Sequence, residues 1–314
     1  MRQLPRVGIT IGDPRGIGPE IISAALSDSQ VSALGEYIVI GPSGLVQGHP
    51  IRSIGDWTSG GSAPEAGRLS GLAIEAAVRM ALAGELDAVV TAPIDKAAFH
   101  EGGWHYPGHT EMLQDLAGAP AVSMMMAAEK TRLGAPLRVV LATTHLALRD
   151  VPKQLTADLL ATQATLTSQS LNRWWGLRSP KIALCAFNPH ASDGGLFGDE
   201  EERVYRPAIQ SLRERGVDVY GPVPADTVFS RALNGEFDAV IAPYHDVGMA
   251  PFKTVSFGTG VNVTLGLPFP RTSPDHGTAI DIAGRGSANA SSMIEAIRLA
   301  VHLAGDFDTF LEDS

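Results

Sequence analysis

Three histidines sit in short polar segments, each just after an apolar run: His145 in VVLATTHLALRD, His190 in IALCAFNPHASDGG and His245 in AVIAPYHDVGMAP. An apolar, β-rich run that ends in polar residues reads as a buried strand whose C-terminal end faces a crevice. Ligand sites of α/β folds gather at such ends. A single imidazole there is ordinarily a structural residue, but three at equivalent places point to one shared transition metal with positions open for a substrate. Asp193, Asp226 (in PADTVF) and Asp246 are the acidic neighbours. A carboxylate beside a metal-binding histidine acts as a further ligand or orients the ring; otherwise it is a solvated or capping group. Asp246 follows His245 directly, so on an extended segment its side chain would point the other way.

Four further segments carry polar groups in patterns suited to a site. GDPRGIGPE, Gly12 to Glu20, lies at a strand-to-helix turn where glycines permit tight backbone and a helix start can hold an anion. Its spacing is not the Rossmann GxGxxG, and it reads equally as a tight turn that places Asp13 and Glu20. YPGHTEML puts His109 and Thr110 at a helix start; composition favours Thr110 as a cap over both residues facing a ligand. Lys253, Asn262 and Arg271 follow or end strand-like segments; Arg271 is suited to grip a carboxylate or phosphate and Lys253 to add a point charge, with ordinary surface ion pairs as the alternative. DHGTAIDIAGRGSANASS, Asp275 to Ser292, has three glycines and runs into the last helix. Such a loop can wrap a nucleotide, with Asp281 accepting from ribose hydroxyls, a choice that favours NAD over NADP.

These segments must be carried by a chain of 314 residues, 44% hydrophobic and 18% charged, with a formal net charge of -10. That composition suits a folded protein with a substantial core and gives no basic run for a nucleic-acid partner. The single cysteine, Cys185, excludes an internal disulfide framework and a thiolate-rich metal site, which fits a reducing cytoplasm. The N-terminal MRQLPRVGITIGDP has no signal-peptide pattern, and no apolar stretch reaches the length of a membrane span.

Strand-like and helix-like segments alternate. RVGITIG, EYIVIG, DAVVTAP, AVSMMMAAE, LRVVLATTH, KIALCAFN, DAVIAPYH and VNVTLGLP read as strands. Helices are expected over 19–28, 63–85, 152–171, 199–216 and 288–305, the last starting near Asn289 or Ser291. Several strands are continuous apolar runs, which indicates a sheet covered on both faces and much parallel pairing. A two-lobed α/β molecule fits this pattern.

Taken together, GDPRGIGPE, TAPIDK, PGHTE, TTHLALRDVP, NPHASDGGLFGDEE, PADTVF, YHDVGMAPFK and VNVTLGLPFPRTSPDHGTAIDIAG resemble, in order and over nearly the whole chain, the 4-hydroxythreonine-4-phosphate dehydrogenase family of the isocitrate and isopropylmalate dehydrogenase superfamily. The resemblance implies a two-lobed isopropylmalate-dehydrogenase-like fold with mixed, largely parallel sheets and a central cleft. It implies a cofactor-side lobe of residues 1–120 and 256–314, and a central lobe of 121–255 carrying the metal ligands and a dimer interface. His145, His190 and His245 match the metal ligands, completed from both subunits of a homodimer. His109, Thr110, Lys253, Asn262 and Arg271 match substrate contacts. Gly277, Asp281, Gly284 and Asn289 lie in the segment that resembles the NAD-binding loop, with Asp281 at the ribose position. Asp226, close to the metal in relatives, and Lys96 are the alternatives for the proton acceptor, Asp226 being preferred. Asp95 stands where relatives often carry Asn or His.

The implied reaction is NAD-dependent oxidation of 4-phosphooxy-L-threonine at C3, with decarboxylation to 3-amino-2-oxopropyl phosphate in pyridoxal phosphate biosynthesis. It needs a divalent metal: Zn, Co or Ni by ligand preference, or Mg by availability. The alternative within the family is a metal- and NAD-dependent dehydrogenase of a non-phosphorylated hydroxy acid or a dihydrodiol carboxylate. Outside it, a metal-dependent hydrolase or aldolase would lack a use for the DHGTAIDIAG loop.

Overall fold

The computed structural model describes residues 4–305. Among them are eleven strands: β1 (Arg6–Thr10), β2 (Glu36–Gly41), β3 (Ile51–Ser53), β4 (Ala88–Thr91), β5 (Ser123–Ala128), β6 (Leu137–Leu141), β7 (Ile182–Cys185), β8 (Val219–Val223), β9 (Ala239–Ala242), β10 (Val261–Leu265) and β11 (Arg271–Pro274). Helices alternate with most of them, and parallel pairs predominate. The chain divides into two compact units, residues 1–120 with 261–314, and residues 121–260. Among the described residues, no helix is long and apolar enough to cross a membrane.

The first unit orders its strands β3-β2-β1-β4-β11-β10. All neighbours are parallel except β10, which runs antiparallel to β11. β1 from Val7 and β4 throughout are buried and apolar apart from their last residues, the buried threonines Thr10 and Thr91. The helix Ala63–Leu82 is started by Ser62, whose side chain accepts from the Glu65 amide. Its Gly67 is required for close packing: a Cβ there would lie 1.8 Å from the Ala98 carbonyl oxygen in the short helix Lys96–Glu101. The last helix starts at Ser291, one of the two residues that the sequence places near its start. It runs Ser291–Ala304 with Ala290 at the cap, while Asn289 Oδ1 accepts from the Ser291 amide at 2.8 Å.

The second unit orders its strands β5-β6-β9-β7-β8, with only β5–β6 antiparallel. Its core joins Val139, Leu141, Ala183, Val240 and Phe252, among others. Cys185 belongs to this core, and burial pushes its thiol up to about 12, so it stays protonated. The helix expected over 152–171 is two helices, Val151–Gln154 and Ala157–Trp175, because Thr156 leaves the helical path and caps the second by accepting from Leu159 N. The segment expected to be helical from residue 199 starts as a π-turn, Glu201–Tyr205, before the α-helix Arg206–Glu214.

The helix His245–Ser256 follows β9, which ends at Ala242, whereas the pattern DAVIAPYH predicts strand through His245 and no helix after it. Gly248 and Pro251 hide its period, and Gly248 explains its placement: a Cβ there would come within 2.8 Å of Ala242 Cβ and 2.9 Å of Leu141 Cδ2, so glycine lets the helix lie on its own sheet. Lys253 is therefore a helical residue, not one that ends a strand.

Candidate active site

In the first unit, register puts a polar row on one sheet face. Thr10 pairs with Thr91, Arg271 pairs with Val89 two residues before Thr91, and Asn262 and Thr264 alternate on β10 opposite Ser273 and beyond. Side chains two apart on a strand share a face, so Thr10, Thr91, Arg271, Thr264 and Asn262 lie together. Arg271 is only 2% exposed. One terminal nitrogen donates to Thr264 Oγ1 at 2.9 Å and the other to Thr91 Oγ1. Its Nε is buried without a partner, and so are Asn262 Oδ1, Thr10 Oγ1 and His109 Nε2.

A buried guanidinium held by two neutral hydroxyls has no hydrogen-bonded carboxylate to offset its desolvation. Burial accordingly pushes Arg271 down from its ordinary value to about 9, with Glu111 opposing the shift. His109 opens the helix His109–Ala117. Burial holds its pKa well below the usual imidazole value, and the positive charges of Arg271 and Lys96 add to this, so the ring is neutral at physiological pH. The capping role that composition favours for Thr110 is not taken: Gly108 occupies the cap position and no side chain caps the helix. Lys96, exposed at the start of its own helix, reaches over Gly108, and Asp95 caps that helix by accepting from the Ala98 amide at 2.8 Å. The row thus offers a positive charge, a neutral imidazole and an amide oxygen, a set suited to a small anion bearing hydroxyl or amino groups.

In the second unit the three histidines leave the C-terminal ends of three neighbouring parallel strands, β6, β9 and β7. Leu141 pairs with Ala242, and two bonds extend the registry: Ala142 N to Ala242 O at 2.9 Å and Thr143 Oγ1 to Pro243 O at 2.7 Å. His145 and His245 are thereby brought side by side, with ring centroids 5.5 Å apart. The expected outward turn of Asp246 is corrected. Because a helix starts at His245, Asp246 Oδ1 instead accepts from His245 Nδ1 at 2.7 Å, leaving Nε2 as the nitrogen able to bind a metal. This carboxylate–histidine pair is the usual support for a metal-bound imidazole.

His190 stands on a strained turn in which four consecutive non-glycine residues, His190, Ala191, Ser192 and Asp193, have left-handed φ of 44° to 73°. The buried Glu201 fixes the base of this turn, accepting from the amides of Phe187 at 3.0 Å and Asn188 at 2.7 Å. Asp226 is exposed in the first turn of the helix Ala225–Leu233, which packs against the His190 segment. Lys253 is half-buried in its helix. No group of three or more His, Cys, Asp or Glu among the described residues gathers into one metal-binding cluster. One chain brings together two of the three imidazoles.

The glycine-rich segment belongs to the first unit. Asp281 is exposed on a single 3-10 turn, Ile280–Ile282, and Gly284 and Gly286 have φ of +72° and +68° with open space where a Cβ would lie. Gly277 is exposed, and the side-chain oxygen of Asn289 is turned to its own helix start. Thr91, Thr264 and Thr10 were not singled out in the sequence. The available signal was a hydroxyl closing an apolar strand, in RVGIT and AVVT.

The chain matches the family model "Pyridoxal phosphate biosynthetic protein PdxA" over residues 24–300. It belongs to that family. Among its curated relatives are a D-threonate 4-phosphate dehydrogenase of Cupriavidus necator, 44% identical with 96% of this chain and 98% of the relative covered, and a 4-hydroxythreonine-4-phosphate dehydrogenase of Geobacter metallireducens, 42% identical with 96% of each covered. A solved 4-hydroxythreonine-4-phosphate dehydrogenase of Klebsiella pneumoniae superposes with a TM-score of 0.85 at 37% identity, covering 96% of this chain and 99% of that one. The likeness to isocitrate dehydrogenase from Methylococcus capsulatus, TM-score 0.56 at 15% identity, is one of fold. This member of the PdxA family is thus a dehydrogenase on an α/β scaffold of largely parallel strands.

Proposed function

We propose that the chain oxidises 4-phosphooxy-L-threonine at C3, with NAD and a divalent metal, and that the product loses CO2 to give 3-amino-2-oxopropyl phosphate. The observation that carries this reading is the buried Arg271, whose Nε points a donor at no partner beside the equally unpartnered His109 and Asn262. An anionic substrate supplies what that site lacks. Relatives named for two different acids share a 4-phosphate, which favours a phosphorylated substrate over the non-phosphorylated alternative.

Arg271 Nε–H donates to an anionic oxygen, and the Thr91 and Thr264 hydroxyls keep the guanidinium plane fixed for it. His109, held neutral, exchanges a hydrogen bond with the substrate without adding charge, and Thr110 and Lys253 complete the contacts. Lys96 adds a mobile positive charge at the rim. The metal ligands are His145, His190 and His245, with Asp246 orienting His245. Two imidazoles from one chain form an incomplete set for a tetrahedral ion, and a homodimer with shared sites supplies the rest. When bound, the cation supplies a Lewis acid for the C3 oxygen and NAD supplies the hydride acceptor. Asp226, or failing it Lys96, takes the C3 hydroxyl proton. The 3-oxo acid then carries its carboxylate β to a ketone, so C1 leaves as CO2 and a proton enters at C2. Gly277, Asp281, Gly284 and Asn289 belong to the dinucleotide loop, where the exposed Asp281 carboxylate favours the 2′-hydroxyl of NAD over the 2′-phosphate of NADP. The reading places the enzyme in the cytoplasm.

The test is turnover on 4-phosphooxy-L-threonine, D-threonate 4-phosphate and unphosphorylated 4-hydroxythreonine side by side, followed by NADH absorbance. The proposal expects the first to be preferred. A clear preference for the unphosphorylated alcohol would reject it.

A further inference from the structure

The GDPRGIGPE segment, which the reaction above does not use, touches the glycine-rich loop at three points. The Ile17 amide donates to the Thr278 carbonyl at 2.9 Å. Gly16 lies so close that a Cβ there would stand 2.7 Å from that same carbonyl oxygen. Glu20, in the first turn of the helix Gly18–Ser27, closes the contact from the far side. Its Oε1 accepts from the Ala288 amide at 3.0 Å and its Oε2 from the Gly284 amide at 3.1 Å. One carboxylate thus bridges two amides four residues apart in a stretch, 283–290, that has no regular secondary structure. Gly284 and Gly286 are left-handed there, and glycine is the residue with the most conformations to lose on ordering. A loop of this composition needs an external anchor to hold one shape.

We propose that Glu20 is a positioning residue for the dinucleotide: its carboxylate latches the 283–290 loop, with Gly16 and Ile17 as the seat, so that NAD binds to a loop already in shape. This deepens the function proposed above and rests on that reading of the loop. An unlatched loop would have to be ordered by the ligand, and that ordering cost weakens binding. The two carboxylate oxygens make the effect graded. Glu20→Gln keeps one acceptor and replaces the other with a donor; Glu20→Ala keeps neither. Hydrogen bonds to a charged acceptor are among the stronger ones, so each amide released is expected to weaken NAD on the order of tenfold, partly offset by loop flexibility.

The experiment titrates the full-length, metal-loaded protein with NAD in a calorimeter, for the wild type, Glu20→Gln, Glu20→Ala and Gly16→Ala, the last displacing the loop from its seat. In parallel, trypsin cleavage after the exposed Arg285 reads loop freedom without any ligand. The expected result is NAD affinity falling in the order wild type, Gln, Ala, with faster cleavage in the same order. KM for NAD should rise while kcat at saturating NAD and KM for the phosphorylated acid hold within about twofold. Wild-type NAD affinity and cleavage rate in Glu20→Gln and Glu20→Ala would overturn the latch, as would tighter NAD binding on removal of the carboxylate. If the wild type itself fails to bind NAD while the variants are still cut faster, it is the nicotinamide reading of the loop that falls.

Discussion

Replacing Arg271 with Met separates binding from stability. The side chain is 2% exposed and burial pushes its pKa down from the ordinary guanidinium value to about 9. For a base whose folded pKa is lowered, the charged form is disfavoured by the fold at every pH below the folded value, and the penalty fades as pH rises from about 9 towards the ordinary guanidinium value. At about 1.4 kcal/mol per pH unit, that drop corresponds to roughly 5 kcal/mol against the charged, unliganded protein at neutral pH. Met removes the penalty but leaves the hydroxyls of Thr91 and Thr264 without their donor, at about 1–3 kcal/mol each. The two effects largely offset, so Arg271→Met is expected to leave unfolding free energy between about 1 kcal/mol lower and about 3 kcal/mol higher than the wild type. Binding has no such offset. Losing the buried partner of a bound anion costs about 2–5 kcal/mol, which is roughly 30- to 5,000-fold in affinity. Calorimetric titration with the phosphorylated acid and chemical denaturation of the same samples measure both. A variant that loses more than about 4 kcal/mol of stability yet binds that acid like the wild type would refute the argument and make the guanidinium structural.

His109, neutral because its pKa lies well below 6.5, contributes stability that is intact above 6.5 and lost as pH falls below it, since only the unfolded chain then takes up the proton; the slope approaches about 1.4 kcal/mol per pH unit. Thermal melts of His109→Gln between neutral and acidic pH should show a flatter decline than the wild type, and an unchanged slope would contradict the assignment. His190→Ala should abolish metal retention and turnover while leaving the melting profile of the metal-free protein intact; metal analysis after dialysis checks this, and full activity after exhaustive chelation would refute the metal-centred mechanism.

The strands were legible because their residues are apolar on both faces. EYIVIG and the strand Glu36–Gly41 coincide, and the run LRVVL, which opens LRVVLATTH, is β6. Short or polar elements were not: β3 is only Ile-Arg-Ser, and β8, Val-Tyr-Gly-Pro-Val, carries a glycine and a proline that argue against a strand. The helix His245–Ser256 was hidden by Gly248 and Pro251; Gly248 is there to fit the helix against β6 and β9. At the site, residue types were readable and partnerships were not. Arg271 stood out as a cation among apolar neighbours, but its grip by Thr91 depends on a contact 180 residues away. Glu20 reaches amides 264 and 268 residues further along, a relation that no local pattern encodes. Asp246 was turned the wrong way because its orientation depends on whether the chain after Tyr244 is extended or helical.

The most direct test of the account is the stoichiometry of one reaction. With 4-phosphooxy-L-threonine, NAD and a divalent cation, NADH and CO2 should form in a one-to-one ratio, and both should vanish on removal of the metal and return when it is restored. NADH formed without CO2, or both formed at full rate in metal-free protein, would contradict it.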